Sequence, residues 1–410
     1  MKMSTAVFLF LAFAAPAAAQ EGERLNLAGF LAEVRAANPE IAAAAAQAGA
    51  YAEKARQAAV PMDPVLEFER MYADGPLGSG ARERTVALKQ EFRNPLKYRL
   101  ARSAAKSDSS YYSGLYGDRT SKVLAEAAEA FQAYLLETRN ERLYAENLEL
   151  LRSFARAAES RYAAGRGSQA DALKAQVELS RAQRLLITAG QRKAAAAARV
   201  NALRNRPPGE PVPAPEELEF KPVPVNYAAL EAAALGDNPY LKALKARLEA
   251  SRGRLSLAKA GYAPDFMVGL RRRSADDAAM DGSWDVSVGL TLPLWFNRNR
   301  AEVREARADH GMAQAEYDSA RNALLAELKA AAADIDCCTK LAELYEDTMM
   351  PQARQALKAA LAGYEAGQAS FMDLVEAGRS LLDTKREYYE YQADYAGRLA
   401  RVKAITGENL

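Results

Sequence analysis

The chain has 410 residues, with 55 lysines and arginines against 53 aspartates and glutamates, a formal net charge of +2. That balance excludes the basic footprint of a nucleic-acid-binding protein. Half the residues are apolar, but alanine supplies much of that share, which suits closely packed helices better than a thick globular core.

The N-terminus reads as a secretory signal over residues 1–19. Lys2 is its charged region, Val7 to Ala15 its apolar run, and Ala17, Ala18 and Ala19 its cleavage site before Gln20. The run is too short to span a bilayer, and no later segment has the ~20 apolar residues of a membrane helix. No cysteine follows the cleavage site, so no lipid anchor is expected. The mature chain is therefore periplasmic, extracellular or a membrane β-barrel.

A first helix is predicted from Leu27 to Ala59, stopped near Pro61 and Pro64. A strand from Val65 to Met71, a turn-rich loop from Asp74 to Glu83 and a strand from Arg84 to Phe92 follow. A long helix then runs from Leu96 to Ala164, with Gly114 and Gly117 as points of loosening. The turn Gly165-Arg166-Gly167 leads into a helix from Ser168 to Arg204. Pro207 to Pro224 cannot continue helix or sheet and reads as a hinge.

The plan then recurs. A helix is predicted from Tyr227 to Gly261, strands from Phe266 to Arg272 and from Trp284 to Leu292 around a loop at Ser274 to Ser283, and helices from Arg298 to Tyr364 and Phe371 to Ile405. Pro351 is a candidate break. Asn38-Pro39 is matched by Asn238-Pro239, and the alternating Val86 to Phe92 by Val286 to Leu292. Tyr162 to Gly165 with Asp171 is matched by Tyr364 to Gly367 with Asp373. The division is a first repeat at 20–206, a proline-rich linker at 207–224 and a second repeat at 225–410, each half of one protomer.

Ionisable candidates for chemistry are sparse. The adjacent Cys337 and Cys338 cannot build a disulfide framework and read as small helix-packing residues. The single His310 has no partners at ligand spacing, so no metal site is expected. It reads as a helix-surface residue without a nucleophile or carboxylate partner, and glycines such as Gly165 and Gly167 occur without a phosphate-loop pattern. No enzyme and no cofactor is predicted.

The strands carry the compartment. Leu66 and Phe68 oppose Glu67 and Glu69. Val86, Leu88 and Phe92 oppose Thr85, Lys89 and Glu91. Phe266, Val268 and Leu270 fall together. Trp284, Val286, Val288, Leu290 and Leu292 oppose Asp285, Ser287, Gly289 and Thr291. Such alternation fits any half-buried sheet and also a barrel with lipid outside and water inside, where Trp284 and Trp295-Phe296 would form aromatic girdles. On the barrel reading Leu66, Phe68, Val86, Leu88, Val286, Val288 and Leu290 face lipid. Membrane barrels start at about 8 strands, so four strands per chain require several copies, and three copies give about 12. A helix of ~65 residues at 1.5 Å rise is about 100 Å long, which suits a tube crossing a wide aqueous compartment.

These features, above all the paired signature Tyr162-Ala163-Ala164-Gly165 … Asp171-Ala172-Leu173 and Tyr364-Glu365-Ala366-Gly367 … Asp373-Leu374-Val375, resemble the outer-membrane efflux protein family of TolC-like exit ducts. The resemblance covers nearly all of the mature chain. It implies a mostly α fold with a small membrane β-barrel portion: a homotrimer whose 12-stranded barrel joins a 12-helix periplasmic tunnel. It also implies outer-membrane lipid around the barrel, a periplasmic adaptor (membrane fusion protein), and an inner-membrane pump of the resistance-nodulation-division type. The short chain without a lipidation cysteine is most like the cobalt-zinc-cadmium efflux subgroup, although the sequence holds no His or Met cluster, and the exported substrate stays open between metal ions, drugs and peptides.

The family closes its tunnel at the periplasmic tip. Asp171, Tyr364 and Asp373 match its gate positions, and Glu376 matches a second acidic position lining the pore. The expected gate arginine is replaced by Ala369, and Arg166 is the candidate substitute. The expected function is a passive outer-membrane channel of a tripartite efflux system. The alternative is a periplasmic coiled-coil adaptor or scaffold, which explains the helices but not the paired strands. Asp171 and Asp373 also suit the first turn of a helix without any pore, since acidic groups favour helix N-termini.

Overall fold

Fourteen elements follow one another in the computed structural model, which describes residues 24–58, 60–72, 81–218, 220–222, 224–275 and 282–408. The signal segment and most of both predicted hairpin loops lie outside the described residues.

The predicted first helix is two: α1 (Leu27–Ala37) and α2 (Pro39–Gln57). Pro39 forces its predecessor out of helical geometry, and Asn38 is extended at φ −70°, ψ 125°. The Asn38 carboxamide oxygen accepts from the Glu40 and Ile41 N–H groups at 2.9 and 3.4 Å, capping α2. Its Nδ2 donates to the Leu203 carbonyl at 3.1 Å. The second repeat does the same. The predicted helix from Tyr227 is α5 (Tyr227–Asp237) and α6 (Pro239–Ala260), with Asn238 capping Leu241 N–H at 2.9 Å and donating to the Ile405 carbonyl at 2.9 Å. Both asparagines are buried and fully used, which is the condition for burying an amide.

The long helix α3 (Pro95–Ala163) is unbroken for 69 residues. Gly114 does not loosen it. A Cβ there would lie 2.7 Å from the Ala243 Cβ of α6, so the glycine permits two helices to touch. After the turn, α4 (Gln169–Leu203) returns alongside α3. In the second repeat α7 (Phe296–Leu344) passes through a π-helical turn at Tyr345–Met349 into α8 (Met350–Glu365). Pro351 therefore does not end the helix. Lacking an N–H, it directly follows the π turn, where the helical hydrogen-bond ladder is already shifted. The π turn is pinned to α9 (Phe371–Thr406) by two hydroxyls, Tyr345 donating to Glu387 and Tyr388 to Glu346, both at 2.7 Å.

Strands β1 (Val65–Tyr72), β2 (Ala81–Phe92), β3 (Asp265–Ala275) and β4 (Ser283–Thr291) form one antiparallel sheet in the order β1-β2-β3-β4. Both hairpins are longer than the predicted strands, and β2 and β3 join the two repeats. Apolar packing concentrates where helices meet in threes. Phe30, Val34, Val123, Phe131 and Val200 join α1, α3 and α4, while Leu328, Ile335, Tyr395, Val402 and Ile405 join α7 and α9 with Ala234 of α5.

The linker is strapped down rather than a free hinge. Leu25 N–H donates to the Ala214 carbonyl at 3.0 Å and Glu216 N–H to the Leu25 carbonyl at 2.9 Å, so a parallel bridge satisfies backbone that proline cannot. Phe220 meets the Tyr395 ring edge-on at 5.2 Å. His310 is half-buried, its Nδ1 3.0 Å from the Ser251 hydroxyl. Cys337 is exposed and Cys338 buried, and both are free thiols.

Candidate functional site

The two interhelical turns are built alike. Gly165 and Gly367 have φ of 70° and 74°, the left-handed conformation that ends a helix at little cost only for glycine. Arg166 N–H donates back to the Arg161 carbonyl at 2.9 Å, and Gln368 N–H to the Gly363 carbonyl at 2.8 Å. Ser168 and Ser370 then cap the following helices, each hydroxyl accepting from the N–H of Asp171 or Asp373 at 3.2 Å.

Tyr364 stands inside this region, 4% exposed, against Phe371 in an edge arrangement at 5.9 Å. Phe154, Ala158, Ala175 and Leu374 complete the cluster, so residues of α3, α4, α8 and α9 share one small core. Burial pushes the Tyr364 hydroxyl above its ordinary pKa. Arg161 works against this shift, and the Asp171 carboxylate adds to it. Asp373 and Glu376 are exposed on the first turns of α9. The Asp373 carboxylate accepts from the Ser370 N–H and hydroxyl, both at 2.8 Å, closing a capping box. The N–H first, then the hydroxyl, holds its carboxyl below the usual range.

The arginine that ties the turns is Arg161, not Arg166. Its guanidinium donates to the Tyr364 carbonyl and lies 4.8 Å from the Tyr364 ring centroid. A second branch reaches the Arg166 carbonyl at 3.5 Å, while the Arg166 residue itself is exposed. Sequence reasoning passed over Arg161 because its counterpart in the other turn is Gly363, so the motif match breaks there. That asymmetry was the available signal. Ala369 packs its Cβ 3.1 Å from where a Gly363 Cβ would sit, leaving a tight inner corner at this position. About two turns beyond Asp171, Glu178 of α4 is buried and receives Arg181 at 2.7 Å and Arg379 of α9 at 2.5 Å, a second link between repeats.

At the other end, the sheet is two-faced. Register aligns Leu66, Leu88, Leu270 and Val286, and aligns Phe92, Phe266 and Leu290. All of these side chains are exposed, Val288 beside them to 74%. The opposite face is ionic and hydroxylated. Lys89 pairs with Glu67 at 2.6 Å and Arg273 with Asp285 at 2.5 Å. A soluble sheet buries its apolar face, whereas this one presents it.

A profile described as "Outer membrane efflux protein" matches residues 230–408. The second half of the chain is thus similar to the outer membrane efflux protein family. The cobalt-zinc-cadmium resistance protein CzcC of Cupriavidus metallidurans is 27% identical over 275 residues, 67% of this chain. That match spans 64% of CzcC, just under two thirds of its length. Among solved structures, the chain resembles CusC (TM-score 0.83, 15% identity, 93% of this chain and 92% of that one). It resembles the outer-membrane channel OprN (0.80, 17%, 93% and 90%), and VceC of Vibrio cholerae (0.79, 19%, 93% and 96%). The fold of this chain is therefore that of the TolC-like channels, a helical tunnel carrying a small β-barrel portion. OprN and VceC are described as outer-membrane proteins. No described helix is long and apolar enough to cross a membrane.

Proposed function

We propose that the chain is the outer-membrane duct of a tripartite efflux system. Substrate passes passively from an inner-membrane pump, through a periplasmic adaptor, to the outside. The observation that carries this reading is the four-stranded sheet whose apolar face is exposed and whose edges β1 and β4 are unpaired among the described residues. Open edges and an exposed apolar face each demand a partner. Neighbouring copies and lipid supply both, with three copies giving a barrel of about 12 strands. The apolar residues Leu66, Phe68, Val86, Leu88, Val286, Val288 and Leu290 then face lipid, and the ionic face lines water. A periplasmic adaptor or scaffold has no use for that face, so that alternative is not favoured.

The turn region is the periplasmic gate in this reading. Arg161 and Tyr364 hold the two repeats of one protomer together, Asp171 tunes them, and the exposed Asp373 and Glu376 of three copies line the constriction. No catalytic group is needed. The likeness to CzcC, a cobalt-zinc-cadmium resistance protein, favours heavy-metal cations as cargo, and the proposed pump is of the resistance-nodulation-division type. Mass measurement in mild detergent tests the assembly. A trimer is expected, and a stable monomer would sink the shared barrel. Deletion of the gene in a host dependent on the system should raise sensitivity to cobalt, zinc or cadmium. Unchanged sensitivity to all three would refute the metal assignment while leaving the duct.

A further inference from the structure

The two long helices begin alike where they leave the sheet, α3 at Pro95 and α7 at Phe296. On α3 the exposed Leu96 is followed by Arg99, Arg102 and Lys106, and on α7 the exposed Phe296 by Arg300, Arg304 and Arg307. All six cations are exposed, and none forms an ion pair with a described residue. Charged groups close by do pair: Lys97 reaches Asp265 at 2.9 Å, Arg254 reaches Asp108 at 2.5 Å and Arg298 reaches Glu302 at 3.0 Å. Side chains three and four residues apart share one helix face, where like charges repel. Cations in a first turn also oppose the helix dipole. Local helix stability therefore does not account for these two stripes.

Both stripes face away from the neighbouring helices of the protomer. α3 meets α6 through Ala104, whose Cβ lies 3.1 Å from where a Gly253 Cβ would sit, and through the Asp108–Arg254 pair. It meets α2 through the stacked rings of Tyr112 and Tyr51. At about 100° per residue, Arg99, Arg102 and Lys106 fall on the face turned from both. α7 meets α6 through His310 on Ser251 at 3.0 Å and Glu316 on Arg247 at 2.8 Å. Its three arginines again fall on the far side, and Glu302, Glu305 and Asp309 lie about half a turn round from them. Both helices have their N-termini at the sheet, and helical side chains tilt toward the N-terminus. The six cations therefore lean toward the sheet, roughly 5 to 16 Å beyond Leu96 or Phe296 at 1.5 Å per residue.

We infer that the two stripes form a basic collar that docks on the anionic phospholipid headgroups of the periplasmic leaflet and seats the barrel at a fixed depth. The inference rests on the barrel reading above, which puts the apolar rows of the sheet in hydrocarbon and the start of both helices at the membrane boundary. A lipid surface is the committed occupant because each stripe starts at an exposed apolar residue, Leu96 or Phe296, within a few residues of the exposed apolar face of the sheet, with Trp295 exposed beside Phe296. Apolar and aromatic side chains first, then lysine and arginine, is the order in which a bilayer presents hydrocarbon, interface and headgroup charge. A soluble acidic partner would match the charge but leave those apolar residues uncovered.

The test uses the full-length protein in mild detergent, titrated with phosphatidylglycerol, with phosphatidylcholine of the same acyl chains, or with inorganic phosphate. Binding is read by native mass spectrometry. Wild type is expected to prefer phosphatidylglycerol. Neutralising one stripe, as Arg99→Gln with Arg102→Gln and Lys106→Gln, or as Arg300→Gln with Arg304→Gln and Arg307→Gln, should cut that preference roughly tenfold or more, at up to about fivefold per charge. The charge-keeping variant Arg300→Lys with Arg304→Lys and Arg307→Lys should retain it, which separates charge from any change in packing. Inorganic phosphate alone should not bind. Equal binding of the two lipids to wild type overturns the inference, as does a preference that survives both neutralised variants, or phosphate binding without lipid. A preparation that conducts in bilayers but does not discriminate between the lipids defeats this inference alone. One that never inserts defeats the barrel reading and this inference with it.

Discussion

Arg161 and Tyr364, 203 residues apart, are joined at the tip of the helices: the guanidinium donates to the Tyr364 carbonyl and covers its ring. A charged hydrogen bond contributes about 1.5–3 kcal/mol and an exposed cation–π contact about 0.5–1 kcal/mol. Arg161→Ala is therefore expected to cost about 2 kcal/mol locally and to raise the open probability of the reconstituted channel. Arg166→Ala should do neither. Single-channel recordings of the two variants decide, and equal behaviour would remove Arg161 from the gate.

Asp373 and Glu376 can be separated by charge and by cap. Glu376 is exposed on its helix face, so Glu376→Gln should lower cation preference and weaken block by trivalent cations without touching stability. Asp373→Asn should lower both cation preference and stability, because the carboxylate serves the Ser370 cap. The folded pKa of Asp373 is lowered. Its contribution is thus full above the ordinary aspartate value of about 3.9 and fades as pH falls through the lowered one. The melting difference between wild type and Asp373→Asn should accordingly shrink in acid. A difference that is constant with pH would mean the cap is idle.

Val288 and Ser287 are neighbours on opposite faces of β4. Ser287 donates to the Gly269 carbonyl at 3.3 Å across the polar face, while Val288 is exposed on the apolar one. Val288→Arg should cost about 2–4 kcal/mol near a bilayer midplane, and Ser287→Arg much less. Yields of folded protein from outer-membrane extracts report the contrast. Equal damage would reject the assignment of faces.

Gly114 and Gly49 are both helical glycines in different surroundings. Alanine at Gly114 would press on Ala243, whereas a Cβ at Gly49 meets nothing within 4 Å. Gly114→Ala should therefore destabilise by about 1–3 kcal/mol through overpacking. Gly49→Ala should gain up to about 1 kcal/mol from helix propensity. Thermal unfolding of both variants checks this, and a stabilised Gly114→Ala would show that α3 and α6 do not touch there.

Much of this architecture is written in local periodicity. The alternation in Val286 to Leu292 placed an exposed apolar face on β4, and the spacing from Gly165 to Ser168 and from Gly367 to Ser370 placed both turns, because strand pleat, left-handed glycine and helix cap depend on a few adjacent residues. The unbroken run from Pro95 likewise announced a helix too long for one globular core. The Asn38-Pro39 and Asn238-Pro239 breaks obey a local rule, yet the apolar and alanine-rich runs around them read as single helices, and their second role, tying α2 to the end of α4 and α6 to the end of α9, is not local at all. Only the tertiary structure decided that Arg161 rather than Arg166 holds the turns and that Tyr364 faces inward. Each depends on the register of segments about 200 residues apart. That register is set by how long surfaces pack, by close approaches such as Gly114 on Ala243, and by the pairing of β2 with β3, and no window of neighbouring residues contains it.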